Sequence, residues 1–283
     1  MANEYTPTQV QAHIRKVWSK EIGLVASEEQ VAVPLAADLE KIEGELAFRK
    51  FGTLSTNNLS DSAVGSGLTA SGNAEITISA TPMTKYVMVV VNFNTAARCA
   101  FDPKTPLRTQ MQAAMYETVD RTLLGLASSL TTNVVGGVDE EISDSLMREV
   151  KRKLTSSGKS KFKPGKTGYA VIMHPGDIET LDGIEAYWKA DGRGDRETPL
   201  PTGWMYKVRG GTIYETGNVQ VDTVTRNVAL LPNETWGIGY NQKYAAKMEE
   251  YELVWKLILW IDFGVLERWD EYGVLIQTSP KTL

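Results

Sequence analysis

Between positions 107 and 130, apolar residues fall at Leu107, Met111, Ala114, Met115, Val119, Leu123, Leu126, Ala127 and Leu130. Steps of one, three and four predict one long helix with a single apolar stripe. Arg108, Gln112, Glu117, Asp120 and Arg121 fall on the other side and read as its solvent face. Pro106 suits the first helical position, where its missing N–H has no intrahelical partner. Gly125 costs up to about 1 kcal/mol in a helix unless a neighbour packs closely on it. Upstream the period drops to two. Glu75-Ile76-Thr77-Ile78-Ser79 alternates, and residues 85–93 are rich in Val, so each run predicts a strand.

Other elements hang on that helix. Residues 1–30 hold a polar start with Pro7, a helical stretch around Val10, Ile14, Val17 and Trp18, and a loop at 27–30, together a tail or an arm. Residues 31–34 read as a short extended piece, and 45–54 as a strand anchored by Phe48 and Phe51. Residues 55–73 are rich in Ser, Thr, Asn and Gly and nearly free of charge. With β-favouring runs on both sides, they predict a two-stranded excursion with a flexible tip. Such a hairpin cannot bury its own faces and calls for a partner. After the long helix, Asp139 reads as the cap of a second helix whose Ile142, Leu146, Val150 and Leu154 face a core. Its basic end, Lys151, Arg152 and Lys153 followed by Lys159, Lys161, Lys163 and Lys166, reads as solvated cations at exposed helix carbonyls. A phosphate-contacting patch is the alternative there. Residues 169–173 predict a buried strand, His174-Pro175-Gly176-Asp177 a turn into a short helix through Ile178 and Leu181, and 190–203 a polar loop. Strand-like runs follow at 211–216, 228–231, 235–240, 252–260, 264–267 and 273–278. Helices and strands mix without regular βαβ spacing, which marks an α+β fold.

Composition narrows the function. The 283 residues suffice for one large or two ordinary domains. A formal net charge of -5 argues against general nucleic-acid binding. One cysteine, Cys99, leaves no internal disulfide framework and fits a reducing compartment. No apolar run approaches the roughly 18 residues of a membrane span, and no basic-then-apolar signal opens the chain. A soluble protein, cytosolic or assembled in the cytosol, is expected. Seven Trp and 11 Tyr favour interfaces as well as cores.

Candidate chemistry is sparse. Gly158-Lys159-Ser160 and Gly165-Lys166-Thr167 look like phosphate loops, but Lys153 and Ser160 stand where each needs its first glycine. His13, His174 and Cys99 have no metal-ligand spacing, and His174 beside a Pro-Gly turn reads as a strand-end residue. No Gly-x-Ser-x-Gly nucleophile is present. Glu140-Glu141 and Glu249-Glu250 read as charged surface, and Arg193-Gly194-Asp195 as a chance adhesion tripeptide. No catalytic, cofactor or metal site is expected. Protruding segments without chemistry point to assembly.

The order of these parts resembles the tailed-phage major capsid (coat) protein family, with its Hong Kong 97-type α+β fold, over nearly the whole chain. Val17-Trp18-Ser19-Lys20-Glu21 looks like the start of an N-terminal arm, residues 57–73 occupy the place of the extended loop, and 107–130 match the spine helix. Val171-Ile172-Met173-His174-Pro175 is similar to the segment opening the axial domain, and residues 210–215 to its later β segment. Residues 263–276, with Arg268 and a Gly-Val-Leu-Ile run, look like the closing peripheral strands. The resemblance implies an arm at 1–44, an extended loop at 45–85, a peripheral domain at 86–168 with its spine at 106–130, an axial domain at 169–240, and peripheral strands at 241–283. It implies no enzyme but a shell subunit that forms pentamers and hexamers around a double-stranded DNA genome. The shell would be built in the host bacterial cytoplasm and located in the virion. Its partners would be other copies, scaffolding, portal and decoration proteins, with packaged DNA touched weakly and non-specifically, and no membrane. No charged helical segment precedes the arm, so a separate scaffolding protein is expected. Lys85 sits at the loop base and the tip lacks Lys, so no cross-linking chemistry is carried over. Expected inter-subunit contacts are Trp18, Asn57, Leu59, Val64, Leu68, Ile76, Trp188, Arg193, Asp195 and Arg196. Two alternatives stand beside this: an encapsulin-type nanocompartment shell, and an α+β enzyme such as a carboxylate hydrolase.

Overall fold

The computed structural model describes residues 30–42, 45–51, 75–92, 104–157, 168–184, 207–251 and 254–281. In chain order its strands are β1 (Ala37–Asp38), β2 (Glu40–Ile42), β3 (Glu45–Phe51), β4 (Glu75–Ser79), β5 (Met83–Asn92), β6 (Val134–Gly136), β7 (Tyr169–Met173), β8 (Lys207–Val208), β9 (Gly211–Glu215), β10 (Thr225–Leu230), β11 (Trp236–Tyr251), β12 (Val254–Glu267) and β13 (Gly273–Thr278).

The long helix spans Lys104–Leu124 and tightens into a 3-10 turn, Gly125–Ser129. It therefore starts before Pro106, which sits in the first turn, where backbone N–H groups lack intrahelical acceptors. The α geometry ends at the glycine. Met111, Met115, Val119, Leu123, Ala127 and Leu130 are buried as the spacing predicts, whereas Ala114 is exposed. This stripe packs on a four-stranded sheet of order β1-β11-β12-β5, against Leu257, Leu259, Ile261 and Phe263 of β12 and Val87 and Val89 of β5. β11 and β12 are each one long strand where the sequence pattern breaks into pieces. Register shifts at Tyr240, Gln242 and Ala245 explain the break, because a bulge resets the alternation of faces without ending the pairing.

Behind the helix lies a six-stranded sheet of order β6-β13-β10-β7-β9-β8. β7 shows how it is used. Ala170 and Ile172 join the long helix's core, while Tyr169, Val171 and Met173 join a second core with Met147, Val150, Leu154 and Leu181. A sheet covered on both faces makes its strands continuously apolar. The helix supplying most of that second cover spans Asp144–Ser157, later than the position of Asp139 predicts. Its cap is Ser143, whose Oγ accepts the Leu146 N–H at 3.3 Å. Arg209 and Gly210, both at positive φ, form the two-residue turn between β8 and β9. The Arg209 guanidinium grips Asp144 with Nε–Oδ1 at 2.9 Å and Nη2–Oδ2 at 2.6 Å, which fastens that turn to the second helix.

A three-stranded sheet of order β2-β3-β4 completes the fold. β3 and β4 pair antiparallel from Ala47 opposite Ser79 to Phe51 opposite Glu75, the base of the expected excursion, with β2 as an added third strand. The tip lies outside the described residues. The expected extended piece at 31–34 is instead part of a 3-10 turn, Val33–Leu35, in which Pro34 supplies a fixed φ.

Candidate interaction surfaces

Glycine sets how the excursion leaves the body. Gly239 of β11 and Gly264 of β12 stand opposite one another. A Cβ on Gly239 would lie 2.8 Å from Leu46 Cδ2, and one on Gly264 would lie 3.0 Å from Ala80 Cβ. Their bare backbones let the base of the excursion lie flush on the long hairpin. Leu46, Ala80 and Leu266 are buried there, with Leu39, Phe48 and Ile78 packed around them. Beside them Arg268 stacks on the Phe48 ring at 4.0 Å, and Trp269 meets the same ring edge-on at 6.4 Å.

Asp120 corrects the reading of the long helix's polar face. It is fully buried. Its Oδ1 accepts the N–H groups of Val31 at 3.1 Å and Ala32 at 2.8 Å, so the chain entering the body is tied to the C-terminal part of the helix. Burial pushes this carboxyl above the ordinary range, although the N–H groups of Ala32, Val33 and Val31 and the Asn218 side chain pull it back. Arg121 Nε holds Asn218 Oδ1 at 3.0 Å. One residue earlier, Gln30 Nε2 donates to the Tyr116 carbonyl at 3.2 Å, beside the edge-on Tyr116–Tyr244 pair.

β5 is an edge strand in the sheet order. Its inward residues Val87, Val89 and Val91 face the helix side, while Tyr86, Met88 and Val90 on the other face are 70%, 51% and 52% exposed. They pair with Trp260, Ile258 and Lys256 of β12. A long edge strand with an apolar outer face is a surface that invites association.

Of the residues that drew chemical attention, His13, Cys99 and Arg193-Gly194-Asp195 lie outside the described residues, and His174 is structural. His174 caps the short helix Pro175–Asp182, its Nδ1 accepting the Gly176 N–H at 3.2 Å. Its own N–H goes to Asn227 Oδ1 at 2.8 Å. Asn227 and Thr278 in turn donate to Asp177 Oδ2 at 2.5 and 2.8 Å. This network is buried and pins three segments of the six-stranded sheet region to each other. Of the expected contact residues, Ile76 lies in β4 opposite Lys50. Trp18, Asn57, Leu59, Val64, Leu68, Trp188, Arg193, Asp195 and Arg196 lie outside the described residues. Sequence reasoning passed over Gly239, Gly264 and Asp120. The glycines carried a usable signal, since glycine inside a strand pattern marks close backbone approach.

No protein-family model matches the sequence, and neither does any curated protein. Solved structures do. A capsid structure of cyanophage P-SCSP1u superposes with a TM-score of 0.76 at 11% identity, covering 99% of this chain and 97% of that one. The mature capsid of bacteriophage PhiM1 gives 0.72 at 9% identity, covering 94% and 92%. For the capsid of Ralstonia phage GP4 the values are 0.71 and 13%, covering 94% and 95%. The fold is that of phage capsid chains. The α+β capsid architecture expected from the order of elements is therefore the one observed, at identities of 11%, 9% and 13%.

Proposed function

We propose that this chain is a major capsid protein. It self-assembles through pentamers and hexamers into the icosahedral shell that encloses the double-stranded DNA genome of a tailed phage. The observation that carries this reading is coverage. The likeness to capsid chains takes in nearly all of both molecules. In this reading residues 86–168, with the long helix, and residues 241–283 form the peripheral domain, and residues 169–240 form the axial domain. The β3–β4 excursion reaches across a neighbour, and residues 190–203 meet around the five- and six-fold vertices. Many weak contacts repeated by symmetry then hold the shell. Scaffolding, portal and decoration proteins would join it during assembly in the host cytoplasm, and DNA would be contained rather than gripped, as suits the net charge of -5.

Electron microscopy of the expressed, purified protein tests this reading, combined with the nucleic-acid content of particles from infected cells. Closed shells holding DNA are expected. Shells filled with protein cargo would favour a nanocompartment instead, and a chain that never assembles would favour an enzyme.

A further inference from the structure

β5 pairs with β12 along its whole length, from Met83 opposite Phe263 to Asn92 opposite Val254, without a register shift. Among the described residues no strand lies on its other side. The strand holds one charge, Lys85, and neither proline nor glycine. The other described sheet edges are blunted. β1 and β8 have two residues each, and β2 and β6 have three. β4 has five and begins on Glu75. Beyond β1, β11 is broken by register shifts and carries Lys243, Lys247, Glu249 and Glu250. Shortness, bulges and charge are what keep a sheet edge from pairing with another chain. Of these edges, β5 is the one that lacks them.

Its two faces restrict what can pair there. Val87 and Val89 pack toward the long helix, while Tyr86, Met88 and Val90 are uncovered on the outer face beside Trp260 and Ile258 of β12. An added strand must continue both faces. β5 of a second copy does so when it runs antiparallel about a two-fold axis normal to the sheet. That axis keeps both apolar outer faces on one side and both long helices on the other. Opposed residues of an antiparallel pair share a face, so the axis passes through a residue position. With Met88 on the axis, Tyr86 stands opposite Val90, Met88 opposite Met88, and Val87 opposite Val89. Aromatic and β-branched pairs of this kind are favourable. Lys85 then meets Val91 rather than a second Lys85. An axis at Val87 would instead set Val90 against Thr84.

We propose that β5 is an isologous interface, at which two copies join their four-stranded sheets into one continuous sheet with Met88 on the two-fold axis. The paired length is about 30 Å, at about 3.3 Å per residue. The second copy comes from the shell reading, on which this inference rests. Rings close through heterologous contacts, so a two-fold contact of this kind links one ring to the next.

Cysteine scanning tests it. Thr84→Cys, Tyr86→Cys, Met88→Cys and Val90→Cys, each with Cys99→Ser, are oxidised in the assembled full chain and resolved on non-reducing gels. Covalent dimers are expected to peak sharply at Met88→Cys. Cysteines two residues off the axis lie about 13 Å apart along the strands, beyond the reach of a disulfide. Shells that form with no peak at 88 would overturn this inference and leave the shell reading standing. So would a Met88→Cys thiol that joins a different segment of either chain. A peak at 88 in soluble dimers that never close shells would uphold the interface and sink the shell reading. A second measurement needs no cysteine. Met88→Lys and Met88→Glu change an exposed position and are expected to leave circular dichroism unchanged. Each places like charges opposite one another and is expected to weaken self-association in sedimentation about tenfold. Mixing the two variants is expected to restore it. Association unchanged in both variants would overturn the inference.

Discussion

Asp120 ties two parts of the chain together through a single carboxylate. Its oxygen satisfies two backbone N–H groups of a segment 88 and 89 residues away, in a place where water cannot. Asp120→Ala leaves those donors without an acceptor and is expected to cost about 2 kcal/mol in urea unfolding. Asp120→Asn keeps an acceptor oxygen and is expected to cost less than half of that. The two differ from wild type in pH dependence. Because burial raises the folded-state carboxyl, the native protein holds this proton more tightly than the unfolded chain does. The group's contribution is then fully present below the ordinary carboxylate range and is lost as pH rises through the raised value. Wild type is therefore expected to gain on Asp120→Asn as pH falls from about 7 to about 4. A difference that stays constant across that window would show that burial does not govern this carboxylate.

At the scale of elements, the glycine pair in the β11–β12 hairpin controls the angle at which the excursion stands. Gly264→Val would push against Ala80 Cβ at 3.0 Å and Leu46 Cδ1 at 3.1 Å. Overpacking of this kind costs about 1–3 kcal/mol. The melting temperature is expected to fall accordingly, and assembly to suffer more than stability if, as proposed, the excursion reaches across a neighbour. The same scale shows what was legible in advance. The stripe from Met111 to Leu130 identified the long helix because one helix face is buried along its length. The run at β7 was legible because both faces are buried. The end of the helix, the cap at Ser143 and the bulged continuity of β11 and β12 were harder, since each depends on a local exchange of hydrogen bonds that leaves the hydrophobic period intact or resets it. The role of Asp120 was not legible. A carboxylate on a helix's polar face looks solvated until a segment from far along the chain arrives to cover it.

For the molecule as a whole, the long helix packs on the four-stranded sheet and its 3-10 end meets the six-stranded sheet, while the apolar outer face of β5 lies outside that core. Tyr86, Met88 and Val90 add nothing to the folded monomer's interior. Such a division separates folding from assembly. Deleting residues 60–73 is expected to leave a subunit with unchanged circular dichroism and melting cooperativity that no longer forms particles. An unfolded deletion variant would place those residues in the fold instead. The two outcomes are distinguished by one preparation, because folding is read from the spectrum and assembly from sedimentation.

On the proposed function, this chain closes a shell with copies of itself. Electron microscopy of the purified full-length protein, over a concentration series and with scaffolding protein supplied where spontaneous assembly is slow, tests that most directly. Closed particles of uniform diameter, built of five- and six-fold clusters with the long helix lying in the shell wall, are the predicted result. A folded chain that remains monomeric at every concentration, with and without scaffolding protein, would contradict it.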